Sequence, residues 1–149
     1  MNSDKFQFVT NFIYNLSIEE KQVVADKIED SELLHVIMVN YNWDDGFELP
    51  KSVLKNENCE LSTALLIFYL VGGEEFLFER EQILSKKSER ITFLSELYDS
   101  IISNIYPKGR IYFEPPLTKL EIYKLKKILT DSESIFIESF GDEKMEYIV

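Results

Sequence analysis

The segment NYNWDDGFELP, residues 40–50, concentrates the residue types in this sequence that are best suited to chemistry. It holds three carboxylates within five residues, Asp44, Asp45 and Glu48, together with the only tryptophan, Trp43. Carboxylate oxygens bind Ca²⁺ and Mg²⁺, and paired carboxylates act as general acids and bases. The segment is therefore a candidate metal loop, a candidate active site or a turn that is merely acidic.

The spacing of these acids argues against a metal loop. Asp44-Asp45-Gly46 lacks the alternating acids and the distal glutamate of the helix–loop–helix calcium motif. The chain has one histidine, His35, and one cysteine, Cys59, so imidazole and thiolate alone cannot complete a zinc site. We predict no metal and no cofactor.

His35 and Cys59 also form the one possible pairing of a cysteine nucleophile with a histidine base. His35 lies in a helical pattern beside apolar neighbours, and Cys59 precedes a fully apolar segment, so both are predicted to be core residues. Glu74 and Glu75 are candidates for acid–base work, but close pairs are common among 27 acids. We predict no catalytic residue and a protein without enzymatic activity.

We predict that the opening segment is first a structural turn and second an interaction surface. Trp43 and Phe47 flank Asp-Asp-Gly and are expected to anchor the turn on the buried central helix, with the acids facing water. A rigid acidic loop on an aromatic base can present charge to a protein partner. The predicted partner-binding residues are Tyr41, Asp44, Asp45 and Glu48.

The net charge of −11 restricts the kinds of partner. A surface with 27 acids and 16 bases repels the phosphates of nucleic acids and the anionic surfaces of membranes. We therefore predict no nucleic acid and no membrane as partner. A basic protein is favoured by electrostatic attraction, although acidity that serves only solubility is an equally open interpretation.

Helical patterns fill the first two thirds of the sequence. Apolar spacing predicts a first helix over residues 4–16, and Ser17 with Glu20 forms a capping box for a second helix to about residue 28. Ser31 is predicted to cap a third helix. Further helices are predicted over residues 50–54, 61–71 and 89–105, and residues 61–71 are apolar on every face. Residues 74–84 are ambiguous between a helix and a distorted continuation of the preceding helix.

The last forty residues change character. Thr118 and Glu121 form a second capping box, which predicts a helix to about residue 129. Three short segments rich in β-formers, 110–113, 134–138 and 145–149, are predicted to be strands. The predicted fold class is α+β and mainly α: a multi-helix body with a buried central helix and a small two- or three-stranded C-terminal sheet.

The length of 149 residues and the absence of a linker predict a single domain over 1–149. The start has neither the basic region nor the apolar core of a secretory signal, and the longest apolar run, 64–71, is far too short for a bilayer. One cysteine excludes an intramolecular disulfide framework. These features predict a cytoplasmic protein.

Residues 33–73 resemble a bacterial family known only as domain-of-unknown-function family 4274. The resemblance rests on the order and spacing of a turn, a proline, a cysteine and a helix start: Tyr41, Trp43, Asp44, Asp45, Gly46, Phe47, Pro50, Cys59, Thr63, Ala64, Leu65 and Phe68. Such domains are similar to accessory proteins of interbacterial-toxin loci, where small acidic immunity proteins neutralise a toxin. The resemblance implies no catalytic residue.

The leading hypothesis is a non-enzymatic acidic protein that binds a basic partner, as an immunity protein that neutralises a bacterial toxin. One alternative is a hydrolase or metal-dependent enzyme that uses Asp44, Asp45 and Glu48. The other is a general interaction module without a link to toxins.

Overall fold

The computed structural model describes every residue from Met1 to Val149 and consists of nine α-helices. Most of them are joined by short loops, and the longer connection 103–118 precedes the last helix. Two 3₁₀ segments, Trp43–Asp45 and Asp131–Ile137, lie between helices and near the C-terminus. The helices are α1 Ser3–Asn15, α2 Ile18–Lys27, α3 Ser31–Val39, α4 Glu48–Lys55, α5 Leu61–Leu70, α6 Gly73–Phe78, α7 Arg80–Ser85, α8 Glu89–Ile102 and α9 Lys119–Ile128.

The starts of these helices follow from side chains that satisfy free backbone N–H groups. Both predicted capping boxes are confirmed, with Ser17 and Glu20 at α2 and Thr118 and Glu121 at α9. At α3 the predicted cap is wrong by one residue: Asp30 accepts the hydrogen bond from the Glu32 amide, and the helix begins at Ser31. The Ser31 hydroxyl donates instead to the Glu60 carboxylate.

Helix α5 forms the centre of the molecule, as predicted from its uniformly apolar sequence. It packs against α3, α6 and α8, and seven of its residues are buried. Gly72 ends it at φ +106°, a left-handed conformation that favours glycine. The ambiguous segment 74–84 forms two short helices, α6 and α7.

The prediction of a C-terminal sheet is wrong, and the protein is mainly α. Segments 110–113 and 140–143 meet only in two isolated bridges, Ile111 with Glu143 and Phe113 with Phe140. Residues 134–138, predicted as a strand, fall largely within the 3₁₀ segment Asp131–Ile137. Residues 145–149 form no strand.

Tertiary contacts explain why the predicted strand 145–149 does not form. The side chain of Asn40, the residue that follows α3, bonds the backbone of the chain end: it donates to the Tyr147 carbonyl and accepts from the Val149 amide. The N-terminal ammonium donates to the Tyr147 hydroxyl, which brings the two ends of the chain together. Groups bonded in this way are not free to form a β-ladder.

None of the nine helices has the combination of length and apolar character that is needed to cross a membrane. The longest of them, α8, has 14 residues and carries acidic side chains.

Candidate functional site

The acidic turn, residues 41–48, connects α3 to α4. Its 3₁₀ segment is capped by the side chain of Asn42, which accepts a hydrogen bond from the Asp44 amide. Gly46 follows at φ +90° and donates its amide proton to the Trp43 carbonyl. Because the capping oxygen comes from Asn42, the aspartate carboxylates are free to face outward.

A row of contacting aromatic rings holds this turn. Tyr41 meets Trp43 edge to face with ring centroids 5.0 Å apart, Trp43 lies 6.2 Å from Phe47, and Phe47 lies 4.9 Å from Phe93 of α8. The Tyr41 hydroxyl donates to the Gly46 carbonyl and closes the turn. The ring contacts end on Phe93 of α8, and Trp43 and Phe47 also border a hollow lined by Leu70 of the central helix, the expected anchor.

The structure places the four predicted partner-binding residues in two different roles. Asp44, Asp45 and Glu48 are exposed, and Glu48 lies 3.7 Å from Lys51 in a loose ion pair. Tyr41 is half-buried, and burial together with the charge of Asp45 raises the pKa of its phenol to about 12. Three residues therefore present charge, while Tyr41 shapes the loop that carries them.

Replacing Trp43 by alanine is expected to lower the free energy of unfolding by about 2 kcal/mol. This loss is below that of a fully buried tryptophan, because Trp43 is only half-buried between Tyr41 and Phe47. Urea unfolding followed by circular dichroism measures the effect, with Tyr123→Ala on an exposed ring as control. A loss no larger than that of the control would contradict the assigned role of the ring.

Both residues of the candidate dyad, His35 and Cys59, are buried in the interior of the protein. His35 is buried, and its Nδ1 lies 2.9 Å from the Thr63 hydroxyl. Burial lowers the pKa of His35 to about 4, so the ring is neutral at pH 7. Cys59 is also buried, and burial raises the pKa of its thiol to about 12, which keeps it protonated.

The acids do not converge in the manner of a metal site. No group of three or more histidine, cysteine, aspartate or glutamate side chains is close enough to hold an ion. Glu74 does find a carboxyl partner, but the partner is Glu121 of α9 rather than the adjacent Glu75. Their shared hydrogen bond raises the pKa of Glu74 and lowers that of Glu121.

A second charged feature, the acidic cleft, was missed by sequence reasoning. It is a cleft of about 350 Å³ beside the end of α5, and its chemistry comes from six residues of five separate segments. They are His35, Tyr69, Glu74, Tyr112, Glu114 and Glu146. No local spacing links positions so far apart, so only the folded chain brings them together.

The fold and the turn define a mainly α-helical protein that displays carboxylates on a loop held by aromatic rings. Residues 29–102 match the model of a family described as "Domain of unknown function (DUF4274)". The chain resembles this family over just under half of its length, from the residues before α3 to the end of α8, which includes the acidic turn and α5. The resemblance predicted from residues 33–73 is therefore confirmed over a longer segment. No curated protein and no solved structure matches the chain.

Proposed function

We propose that this chain is a non-enzymatic cytoplasmic protein that binds a basic protein partner, as an immunity protein that neutralises a bacterial toxin. The observation that carries the proposal is the acidic turn, where three exposed carboxylates lie on a loop held by contacting aromatic rings. A loop that is already ordered loses little conformational entropy when it binds. It can therefore act through shape and charge alone.

Electrostatics support a basic partner. The net charge of −11 attracts a cationic surface over several ångströms and raises the rate of encounter. An inhibitor needs only to cover the active surface of its target, and a surface of opposite charge also disfavours other partners. From the resemblance to the domain family, we expect the gene for this chain to lie in a locus that also encodes a toxin.

Reversing the three charges of the acidic turn is expected to weaken partner binding by about tenfold or more. The variant is Asp44→Lys, Asp45→Lys and Glu48→Lys, and all three side chains are exposed, so the fold is expected to persist. Cells that express the product of the neighbouring toxin-like reading frame should be protected by the wild type and protected less by this variant.

The matched control reverses three exposed acids at α2 and its C-terminal end, Glu19→Lys, Asp26→Lys and Glu29→Lys. None of these side chains forms a hydrogen bond or an ion pair, so the control changes net charge equally without touching the turn. Equal protection by both variants would move the interface away from the turn. Failure of the wild type to protect against, or bind, any neighbouring gene product would refute the immunity function.

Salt dependence provides a second measurement on the same complex. Raising the salt concentration from about 50 to 500 mM shortens the Debye length from roughly 14 Å to 4 Å, so association should slow markedly. The turn variant should show a weaker dependence on salt than the control variant.

A further inference from the structure

The acidic cleft carries an excess of negative charge. Three carboxylates line it, from Glu74, Glu114 and Glu146, and no lysine or arginine is among its lining residues. None of the three forms an ion pair with any base of the chain. Glu74 instead meets a second carboxyl group, that of Glu121. Like charges gathered in this way are stabilised by an added cation.

A buried histidine faces the same cleft. His35 is only 3% exposed, and Thr63 engages its Nδ1, which leaves Nε2 without a hydrogen-bond partner. Among the side-chain nitrogens and oxygens, only Nε of Arg80 is both fully buried and without a hydrogen-bond partner. Nε2 of His35 has no partner and is therefore not fully buried. Because His35 lines the cleft, this atom meets solvent there. Nε2 is therefore the polar atom of His35 that a molecule in the cleft would meet.

Two fixed aromatic rings complete the cleft. The Tyr112 hydroxyl donates to Glu114 at 2.6 Å, and the Tyr69 hydroxyl donates to the Phe136 carbonyl. These bonds hold both rings in place. The Lys144 ammonium already lies 5.5 Å from the centroid of the Tyr112 ring, so this ring attracts a cation within the chain itself.

We propose that the acidic cleft binds the cationic end of an alkyl chain, a guanidinium or ammonium group, supplied by an arginine or lysine side chain of the protein partner. The carboxylates neutralise the charge and accept its N–H groups, the tyrosine rings contact the alkyl stem, and the His35 ring borders the bound group. Donors on such a group match this set of acceptors, and the volume of about 350 Å³ accommodates one long side chain.

The position of the cleft connects it to the acidic turn. Leu70, which is 49% exposed, lines both the cleft and the hollow beneath Trp43 and Phe47. A partner seated on the acidic turn therefore borders the cleft and can insert a basic side chain into it. This inference rests on the proposed function only for the source of the cation.

The test uses N-butylguanidinium as the cation and N-butylurea as its neutral counterpart. Since His35 is the only histidine, ¹⁵N-histidine labelling reports on its ring without ambiguity. Butylguanidinium is expected to shift the Nε2 resonance in a saturable manner, and butylurea is expected to leave it unchanged. An Nε2 resonance that butylguanidinium does not move would overturn the proposal.

Neutralising the cleft with Glu74→Gln, Glu114→Gln and Glu146→Gln is expected to weaken binding about tenfold. The control, Glu19→Gln, Asp26→Asn and Glu29→Gln, removes equal charge at α2 and is expected to change binding less than about twofold. Equal weakening in both variants would mean attraction by net charge only and would also overturn the proposal.

The source of the cation is decided by a short peptide, acetyl-Gly-Gly-Arg-Gly-Gly-amide. Binding comparable to that of butylguanidinium is expected, and its absence would exclude a protein side chain as the occupant. Intact cation binding without toxin protection would refute the immunity function alone, whereas protection without cation binding would refute the cleft alone.

Discussion

Replacing Phe68 by alanine is expected to lower the free energy of unfolding by about 4 kcal/mol and the melting temperature by about 10 °C. Phe68 is fully buried in α5, and its ring lies 4.7 Å from that of Phe136 and 6.2 Å from that of Phe76. Gly73 packs so closely on this ring that a Cβ there would lie 2.3 Å from it. Alanine therefore leaves a cavity between α5, α6 and the 3₁₀ segment Asp131–Ile137.

The control for this variant is Phe6→Ala, which makes the same chemical change on a ring that is 42% exposed. It is expected to cost less than about 1 kcal/mol. Thermal and urea unfolding of both variants give the comparison. Similar losses in the two would mean that Phe68 does not join the central helix to the C-terminal segment.

The elements that could be predicted from the sequence are those specified by local signals. The capping boxes at Ser17 and Thr118 need only residues three positions apart, and both formed as expected. Helix α5 was recognisable because eleven consecutive residues offer water almost no polar face. Signals of this kind lie within a short continuous stretch of sequence, so no knowledge of the fold is needed to use them.

The C-terminal sheet was predicted wrongly because β-propensity yielded to tertiary contacts. Ile135, Phe136 and Ile137 favour a strand, but Phe136 stacks on Tyr98, with ring centroids 5.3 Å apart. Thr130 and Glu133 also form a capping box immediately before these residues, which begins a helical turn. That box was present in the sequence, and it carried more information than the composition of the apolar run.

The candidate site was likewise predictable only where local signals specify it. The exposure of the acids at 44, 45 and 48 follows from a turn whose aromatic neighbours pack inward, and the structure has this arrangement. The choice of α8 as anchor depends on Phe93, which lies 46 residues away from Phe47. The acidic cleft is still harder to predict from the sequence, because His35 and Glu146 lie 111 residues apart in the chain.

Replacing Glu133 by glutamine is expected to lower the free energy of unfolding by about 3 kcal/mol at pH 7. Glu133 is 6% exposed, and its carboxylate accepts hydrogen bonds from Arg80, from the Tyr98 hydroxyl and from Thr130. The guanidinium of Arg80 also lies 4.8 Å from the centroid of the Tyr98 ring. Glutamine leaves this guanidinium without its counter-charge and turns an amide N–H₂ towards a donor.

The same network gives stability a defined dependence on pH. Burial raises the pKa of Glu133, but hydrogen bonds from Tyr98, the Thr130 amide and Arg80 outweigh burial and lower the pKa to about 2. Because the folded pKa lies below the unfolded value, the contribution is fully present above about pH 4.5 and is lost as pH falls towards 2. Wild type should therefore lose more stability between pH 5 and about 2 than Glu133→Gln does.

The measurement is urea unfolding of both proteins at pH 7, 5, 4 and 3, with Glu138→Gln as control. Glu138 pairs with Lys108 at 3.7 Å on the exposed side of the same segment, so its neutralisation should cost less than about 1 kcal/mol. Curves for wild type and Glu133→Gln that run parallel down to pH 3 would show that Glu133 is not the group that titrates. Converging curves, with the control parallel to wild type, would assign the acid sensitivity to the carboxylate that joins α7, α8 and the C-terminal 3₁₀ segment.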